Sequence, residues 1–243
     1  MSETVLTARG LRKTFTLHTI DGRQVTSLRD VDLDLRAGEH VALAGPSGAG
    51  KSSLLRCLYR TYLPDAGSVL LRTGDVELTG LSDRAMARLR GREFGYVAQF
   101  LTAPPRTGPL QVVAATARRR GLDTDAATDA AVDALRRLNL DEALWDVDCC
   151  VLSGGERQRV NLAAGTVQPP RLLLLDEPVS ALDPANREAA LDLVDSLAAY
   201  GVAVLAVFHD AAAMHRLASR VLVMRDGQII HQGTPAEVLE VAA

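Results

Sequence analysis

Short apolar runs, each bounded by polar or glycine-rich segments, dominate the hydrophobic pattern of the chain. Val41–Ala44, Leu172–Leu175 and Val202–Val207 are too short for helices and are typical of strands buried on both faces of a parallel sheet. Val31–Leu35 alternates between apolar and acidic residues, which predicts a half-exposed antiparallel strand. Asp21-Gly22 predicts a hairpin turn before that strand. The fold class predicted from this pattern is α/β, with a parallel core and an antiparallel portion.

The rest of the chain alternates between strand and helix patterns. Further strands are predicted near 68–71, 75–78, 221–224 and 228–230, and helices near 53–58, 110–120, 126–138, 156–162, 185–199, 211–217 and from Pro235 onward. Between Leu101 and Gln168, the breaks Pro104-Pro105 and Gly108-Pro109 precede alanine- and arginine-rich amphipathic segments. This tract predicts a helical subdomain inserted into the α/β unit.

A glycine-rich loop follows the first buried strand and precedes a helical segment. Its residues are Gly45, Pro46, Ser47, Gly48, Ala49, Gly50, Lys51 and Ser52, with Ser53 next. Glycines allow backbone N–H groups to converge on phosphates, Lys51 can reach the β and γ oxygens, and the Ser52 hydroxyl can bind Mg²⁺. The alternative is a glycine-rich turn without a ligand, but the order strand, loop, helix favours a phosphate site.

Two carboxylates end a second buried strand. Leu172–Leu175 leads into Asp176-Glu177-Pro178, so both acids emerge at the carboxyl end of the strand, where α/β sheets bind their ligands. Asp176 can hold Mg²⁺ directly or through water, and Glu177 can act as a general base toward water. The alternative is an ion pair or a helix cap.

A second predicted anion site lies at Leu152-Ser153-Gly154-Gly155-Glu156. A serine and two glycines stand where the pattern becomes helical, so backbone amides and a hydroxyl are offered at a helix N-terminus. One chain therefore carries two separate places for phosphate.

Composition restricts the classes of partner. The chain has 243 residues, 47% of them hydrophobic, and a net charge of −3, so no global basic field favours nucleic acid. Arg118-Arg119-Arg120 is interpreted as the solvated end of a helix. The three cysteines are too few for a disulfide framework, which indicates a reducing cytoplasm. No leader-like N-terminus and no apolar stretch of about 20 residues is present, so a cytoplasmic location is expected.

With these motifs the chain resembles the ATP-binding cassette (ABC) family from end to end. Gln99, which closes Phe94–Ala98, matches the family's glutamine, and Leu152–Glu156 matches its signature. Ser180–Asp183 matches the dimer-facing loop, and His209 matches the switch histidine. The resemblance implies a P-loop, RecA-like core with an antiparallel β subdomain in residues 1–98 and 169–243, and a helical subdomain in 99–168, within one domain, 1–243.

The resemblance also implies roles for individual residues. Glu177, Gln99 and His209 are expected to be catalytic, and Mg²⁺ is expected at Ser52, Gln99 and Asp176. ATP is expected to bind Phe15, the loop from Gly45 to Ser53, Gln99 and Asp176 of one chain, together with Ser153, Gly154, Gly155, Glu156 and Asp183 of a second chain. Gln99 has a rival interpretation as a solvated turn residue, His209 as a structural histidine and Phe15 as a small core aromatic.

The two anion sites are explained if two cassettes pair head to tail, so that the signature of one closes over the ATP of the other. Because the chain has no second phosphate loop, the partner is expected to be a second copy or a related ABC ATPase. Dimerisation is therefore part of the expected mechanism.

Weaker matches are similar to the L-type ATPase of the bacterial carbon–phosphorus lyase system for phosphonate use. They include Tyr96–Leu101 with Pro105-Arg106, Leu54–Tyr59, Tyr62–Asp65, Arg159–Ala163 and Val207–Asp210. This resemblance implies carbon–phosphorus lyase core subunits as partners. The alternative is a transport motor of the lipoprotein-release or macrolide-export type, at the inner membrane with integral permease subunits; a regulatory nucleotide-binding module is a third. Val179 and Ala164 depart from common family residues.

Overall fold

The computed structural model describes residues 3–17, 22–72, 74–208 and 210–239. The strands are β1 (Thr4–Leu17), β2 (Arg23–Arg36), β3 (His40–Ala44), β4 (Ala66–Leu71), β5 (Val76–Glu77), β6 (Phe94–Val97), β7 (Leu172–Asp176), β8 (Ala203–Val207), β9 (Arg220–Arg225) and β10 (Gln228–Gly233). The helices are α1 (Lys51–Leu58), α2 (Asp83–Arg90), α3 (Pro109–Arg119), α4 (Thr124–Arg137), α5 (Gly154–Thr166), α6 (Pro184–Ser196), α7 (Ala211–Leu217) and α8 (Pro235–Leu239). None of the helices in these ranges has the length and apolar character that a membrane span requires.

The chain divides into two compact units, which are described separately. Unit 1 comprises 1–87 and 203–243. In it, β2, β1, β4 and β5 form an antiparallel sheet in that order. A second set of strands has β3 parallel to both β8 and β9, with β10 antiparallel to β9. Every residue of β3 and β8 is buried, as expected for strands covered on both faces.

Unit 2 is the continuous segment 88–202. Its strands β6 and β7 run parallel, with Tyr96 opposite Leu174 and Val97 opposite Leu175. All five residues of β7 are buried. Helices α3, α4 and α5 pack against one another, and α5 also packs against β6. The acidic end of β7 and the start of α5 are thus held in one packed unit.

Most elements predicted from the hydrophobic pattern are present, and the α/β class is confirmed. The alternating segment at 31–35 lies in β2, whereas Asp21 of the predicted hairpin turn lies outside the described residues. Helix α2 was not predicted, because only Met86 of its eight residues is buried and the segment has little apolar periodicity. The subdomain boundaries at 99 and 168 stay a prediction.

The interpretation of the arginine run as the solvated end of a helix holds for Arg118 and Arg119 but is wrong for Arg120. Arg118 and Arg119 are exposed, but Arg120 is half-buried, and its guanidinium donates to the backbone carbonyls of Gly165, Val167 and Gln168. The carbonyls at a helix C-terminus have no partner within the helix, so a cation satisfies them well. Arg120 therefore holds the C-terminal end of α5.

Candidate active site

The glycines of the phosphate loop of unit 1 adopt backbone conformations that other residues rarely adopt. Gly45, Gly48 and Gly50 have φ values of 134°, 78° and 102°. A Cβ atom on Gly45 would lie 2.1 Å from the Met224 carbonyl oxygen, and one on Gly50 would lie 2.4 Å from that of Ser27. Glycine is thus favoured by φ at all three positions, and at Gly45 and Gly50 also by close backbone approach.

Lys51 begins α1 and points its ammonium group into the loop. The side chain is only 6% exposed, and Nζ donates to the carbonyl oxygens of Gly45 at 2.8 Å and Pro46 at 2.9 Å. The charge is therefore held at the centre of the loop, where a phosphate would be bound. Ser53 accepts a 2.8 Å hydrogen bond from the Ser27 hydroxyl, which ties the start of α1 to β2.

The turn between β9 and β10 is hydrogen-bonded to the same loop. The N–H of Gly227 donates to the Ala49 carbonyl at 3.1 Å, and the Gly227 carbonyl accepts from the N–H of Arg29 at 2.8 Å. The phosphate loop, β2 and this turn are thus joined by backbone hydrogen bonds.

Phe15 belongs to a small aromatic cluster in unit 1. Its ring lies 5.1 Å from that of Tyr62 in an edge-to-face arrangement, and Lys13 Nζ lies 5.4 Å from its centroid. Asp65 accepts from Lys13 Nζ at 2.8 Å and from the Thr14 N–H at 2.6 Å, and these bonds lower the pKa of Asp65. The half-buried ring is held firmly, and both its expected role toward adenine and its rival role as a core aromatic stay open.

Unit 2 brings three of the predicted site residues together. Asp176, 2% exposed, ends β7 and accepts a hydrogen bond from the Tyr96 hydroxyl at 3.3 Å. Glu177 follows it, and the Gln99 side-chain amide donates to the Glu177 carboxylate at 3.5 Å. The two acids and the glutamine therefore share one edge, as their strand-end positions predict.

The backbone of Glu177 is in the left-handed region, with φ of 56°. Few residues other than glycine adopt this conformation, and it is often found at functional sites. The Glu177 carbonyl accepts from the Ser180 N–H at 3.4 Å and from the Ser180 hydroxyl at 3.2 Å. This tight turn fixes the direction in which the carboxylate leaves the strand.

The signature segment begins α5 with a capping box. The Glu156 N–H donates to the Ser153 hydroxyl at 3.3 Å, while the Glu156 carboxylate accepts from the Ser153 N–H at 2.7 Å. The Ser153 N–H, and after it the Ser153 side chain, hydrogen-bond to the Glu156 carboxylate and lower its pKa. The Ser153 hydroxyl and the Glu156 amide thus interact within their own chain.

The two glycines of the signature differ in what surrounds them. A Cβ on Gly155 would lie 3.1 Å from the Ala181 carbonyl, whereas a Cβ on Gly154 would meet nothing within 4 Å. Gly154 also lacks a positive φ. Neither backbone strain nor packing within the described chain requires glycine at 154, so the reason for its lack of a side chain lies elsewhere.

Asp183 begins α6 as its N-cap. Its carboxylate accepts from the Asn186 side chain at 2.6 Å and from the Asn186 N–H at 3.1 Å, and both bonds lower its pKa. Asp183, which is expected to face a second chain, thus also caps a helix of its own chain.

Sequence reasoning missed two buried polar residues of α5. Gln158 donates to the Pro178 carbonyl at 2.8 Å, and Asn161 donates to the Ala98 carbonyl at 2.6 Å. The two residues are three positions apart and therefore lie on the same face of the helix. Uncharged polar residues three positions apart on one face of a predicted helix are the signal that could have revealed them.

The three cysteines occupy different environments. Cys57 and Cys149 are buried and Cys150 is exposed, and none of them forms a disulfide. Burial raises the pKa of Cys57 to about 11. A hydrogen bond with Asp148 raises the pKa of the Cys150 thiol.

The oxygen chemistry of the predicted magnesium ligands fits a hard cation. A hydroxyl at Ser52, an amide oxygen at Gln99 and a carboxylate at Asp176 are ligand types that Mg²⁺ accepts. Within the described residues, no group of three or more His, Cys, Asp and Glu could hold a metal by itself. A magnesium ion would therefore rely on phosphate oxygens and water as well. His209, the remaining predicted catalytic residue, lies outside the described part of the chain.

Comparison with known proteins agrees with these features. The sequence profile of the ABC transporter family matches residues 28–180. The phosphonates import ATP-binding protein PhnC 1 of Rhodopseudomonas palustris (strain HaA2) is 35% identical over 229 residues, covering 89% of this chain and 80% of that protein. The lipoprotein-releasing system ATP-binding protein LolD of Ruegeria sp. (strain TM1040) is 35% identical over 233 residues, covering 96% and 100%.

A solved structure has a similar fold. The dimeric, ADP- and phosphate-bound form of the ATP-binding cassette MJ0796, in a post-hydrolysis state, superposes with a TM-score of 0.87 at 25% identity, over 95% of this chain and 98% of that one.

A phosphate loop, an acidic strand end and a capped signature helix on a P-loop α/β fold define an ATP-hydrolysing cassette. The chain belongs to the ABC transporter family and is an ATPase that binds ATP. The relatives described here are import and release ATP-binding proteins, so they give no support to a particular closeness to the L-type ATPase of the carbon–phosphorus lyase system.

Proposed function

We propose that this ATPase works as a head-to-tail dimer in which Ser153–Glu156 and Asp183 of one chain complete the nucleotide site of the other. The observation that carries the proposal is Gly154, where glycine is required neither by φ nor by contacts within the described chain. A missing side chain beside open space allows a second molecule to approach the start of α5. Exposed amides at a helix N-terminus suit a phosphate group carried by that molecule.

The residues of each chain then have separate tasks. Lys51 and the backbone N–H groups of its loop bind the phosphates, and the Phe15 ring stacks on the adenine. Ser52, Gln99 and Asp176 hold Mg²⁺, which neutralises charge on the phosphates when it is bound. Gln99 and Glu177 orient the attacking water, and Glu177 accepts a proton from it. His209 donates a hydrogen bond to the γ-phosphate.

Glu177→Gln tests the assignment of the general base. The amide keeps the size of the side chain but cannot accept the proton, so turnover is expected to fall by about 10² or more, the scale of general-base catalysis. ATP binding is expected to persist and the dimer to accumulate, measured by equilibrium dialysis and analytical ultracentrifugation with ATP. Turnover close to that of the wild type would contradict the assignment.

Two candidates for the work that ATP drives are supported by different observations. A membrane-transport motor with permease subunits is supported by the relatives, whose names describe phosphonate import and lipoprotein release. A role with soluble carbon–phosphorus lyase subunits is supported by the sequence matches around Tyr96–Leu101 and Arg159–Ala163. Both assign the same chemistry to the chain and differ only in its partner.

Affinity capture from cells grown on a phosphonate as sole phosphorus source distinguishes the two. Recovery of integral membrane subunits supports the transport motor, and recovery of soluble carbon–phosphorus lyase subunits supports the lyase role. The Glu177→Gln chain with ATP is the better bait, because a closed dimer retains its partners longer.

A further inference from the structure

Helix α5 contacts both loops that carry the candidate catalytic residues of its own chain. Asn161 donates to the carbonyl of Ala98, the residue directly before Gln99. Gln158 donates to the carbonyl of Pro178, the residue directly after Glu177. Since Gln99 in turn contacts Glu177, these interactions form a closed ring through the helix and the two loops.

The donors of the two hydrogen bonds are buried, so the loss of either bond is expected to affect the loop that it holds. Gln158 is 3% exposed and Asn161 is 7% exposed; the bond to Pro178 is buried and the bond to Ala98 is partly buried, so water has limited access to replace them. A buried carbonyl that loses its donor is left unsatisfied, and the segment that carries it tends to move toward another partner. The positions of Gln99 and Glu177 therefore depend on these side chains.

The same helix begins at the signature. Ser153 and Glu156 cap it, and Gly155 approaches the Ala181 carbonyl of the loop that follows Glu177. The opposite end is held by Arg120. A short helix moves as a rigid unit, so a displacement of its first turn reaches Gln158 about one turn further along and Asn161 about two turns further along.

We propose that Asn161 and Gln158 are positioning residues that couple the two ATP sites of the dimer. When the start of α5 engages the partner's nucleotide, its displacement is passed through Asn161 to Gln99 and through Gln158 to Glu177 in the helix's own chain. Hydrolysis at one site thus depends on occupancy of the other. This inference rests on the head-to-tail dimer proposed above.

Asn161→Ala and Asn161→Leu test the coupling together. Leucine keeps the branched shape of asparagine and alanine removes it, but neither can donate to Ala98. Both are expected to lower kcat about tenfold, equivalent to about 1.4 kcal/mol in the barrier, with the ATP affinity of the monomer unchanged. The Hill coefficient for ATP in hydrolysis is expected to fall from above 1 toward 1.

Thr166→Val is the matched control. Thr166 is also a buried polar residue of α5, but its hydroxyl donates within the helix, to Leu162 at 2.8 Å. This variant is expected to keep the wild-type kcat and Hill coefficient. Circular dichroism and thermal unfolding of all three variants show whether each one is folded.

The outcomes separate this inference from the proposed dimer. If wild-type hydrolysis is cooperative and Asn161→Leu matches Thr166→Val in kcat and Hill coefficient, the coupling through Asn161 is wrong while the dimer stands. Recovery of activity in Asn161→Leu but not in Asn161→Ala would also overturn it, because side-chain shape alone would then be responsible. A wild-type Hill coefficient of 1 overturns the coupling as well. The proposal of a dimer is tested separately, and it is overturned if Glu177→Gln stays monomeric with ATP.

Discussion

The hydroxyl of Tyr96 and the carboxylate of Asp176 meet at the ends of two parallel strands, 3.3 Å apart. A hydrogen bond from a neutral donor to a carboxylate restricts the rotation of that carboxylate and leaves its second oxygen to other ligands. For a side chain that is proposed to hold a metal ion, restricted rotation reduces the ordering needed on binding. A phenol at position 96 is thus a supporting group for the acidic strand end.

Tyr96→Phe is expected to raise the Mg²⁺ concentration for half-maximal hydrolysis about tenfold, the lower end of the effect seen when a group that supports a metal ligand is removed. Binding of ATP without Mg²⁺ is expected to stay unchanged, because Tyr96 is expected to act only through the proposed metal ligand Asp176. The measurement is a titration of hydrolysis with free Mg²⁺. Tyr200→Phe, which alters an exposed tyrosine, is the control. An unchanged midpoint for Tyr96→Phe would show that Asp176 needs no support from the phenol.

Helix α5 and strand β6 approach each other so closely that side chains are excluded from the contact. A Cβ on Gly165 would lie 2.4 Å from Val97 Cγ2, and a Cβ on Gly95 would lie 2.6 Å from Leu173 Cδ1 and 2.9 Å from the Gly165 carbonyl. Neither glycine has a positive φ, so packing alone explains them. The contact sets the distance over which Asn161 reaches Ala98.

Gly165→Ala is expected to destabilise the protein by about 1–3 kcal/mol through overpacking. Helix propensity alone favours alanine by about 1 kcal/mol, so a net loss has to come from the contact with Val97. Urea unfolding of Gly165→Ala, Val97→Ala and the double variant measures it. We expect a coupling energy of about 1 kcal/mol in favour of the double variant, since truncating Val97 makes room for the added methyl. Strictly additive effects would mean that the two residues do not clash.

The capping box of α5 is expected to make stability depend on pH. The pKa of Glu156 is lowered in the folded state by its bonds with Ser153, so its contribution is fully present above the unfolded value of about 4.3 and is lost as the pH falls through the folded-state pKa. Because the group is near solvent, we expect no more than about 1 kcal/mol at pH 7. The difference in unfolding free energy between wild type and Glu156→Ala should shrink on acidification.

Glu156→Gln is the control for that titration, because it keeps an acceptor but not the ionising group. Its difference from Glu156→Ala is expected to be constant with pH. If the difference in unfolding free energy between wild type and Glu156→Ala grew on acidification, the expected direction of the pH dependence would be wrong.

Local patterns predicted most elements and the motif residues, but not the bonds that join them. Buried apolar runs identified β3, β7 and β8, and the glycine loop, Asp176 and Glu177 occupy the strand ends at which they were expected. Arg120 and Asn161 act through carbonyls that lie 45 and 63 residues away along the chain. Such pairings depend on how helices pack in three dimensions, which no local pattern encodes. The same holds for Tyr96, whose hydroxyl reaches a residue 80 positions away.

At the scale of the whole molecule, the question is whether the signature serves its own chain or a partner. Unit 1 carries the phosphate loop and unit 2 carries the signature. In a head-to-tail dimer, each complete site combines the loop of one chain with the signature of the other. A defect in the loop of one chain and a defect in the signature of the other then fall on the same site, whereas two defects on one chain fall on different sites.

Mixing a Lys51→Ala chain with a Ser153→Arg chain tests this arrangement. Each variant alone is expected to be inactive, because both of its sites carry one defect. In a mixed dimer one site carries both defects and the other carries none, so activity should recover to at most about a quarter of the wild type. Steady-state hydrolysis is measured as a function of the mixing ratio. Because the coupling proposed above lowers turnover when the second site is empty, dimer formation with ATP is measured in the same mixtures. A mixture that neither hydrolyses ATP nor forms a dimer would place the signature in its own chain's site.

Cys150 gives this cassette a natural attachment point for a spectroscopic label. It is the one exposed thiol of three and stands three residues before Ser153, so a fluorophore or spin label on it would report movement at the start of α5 without any engineered cysteine. Its raised pKa means that little thiolate is present at neutral pH, and mildly alkaline conditions would speed the labelling. Distance measurements between two labelled chains could then follow closure of the dimer as ATP is added.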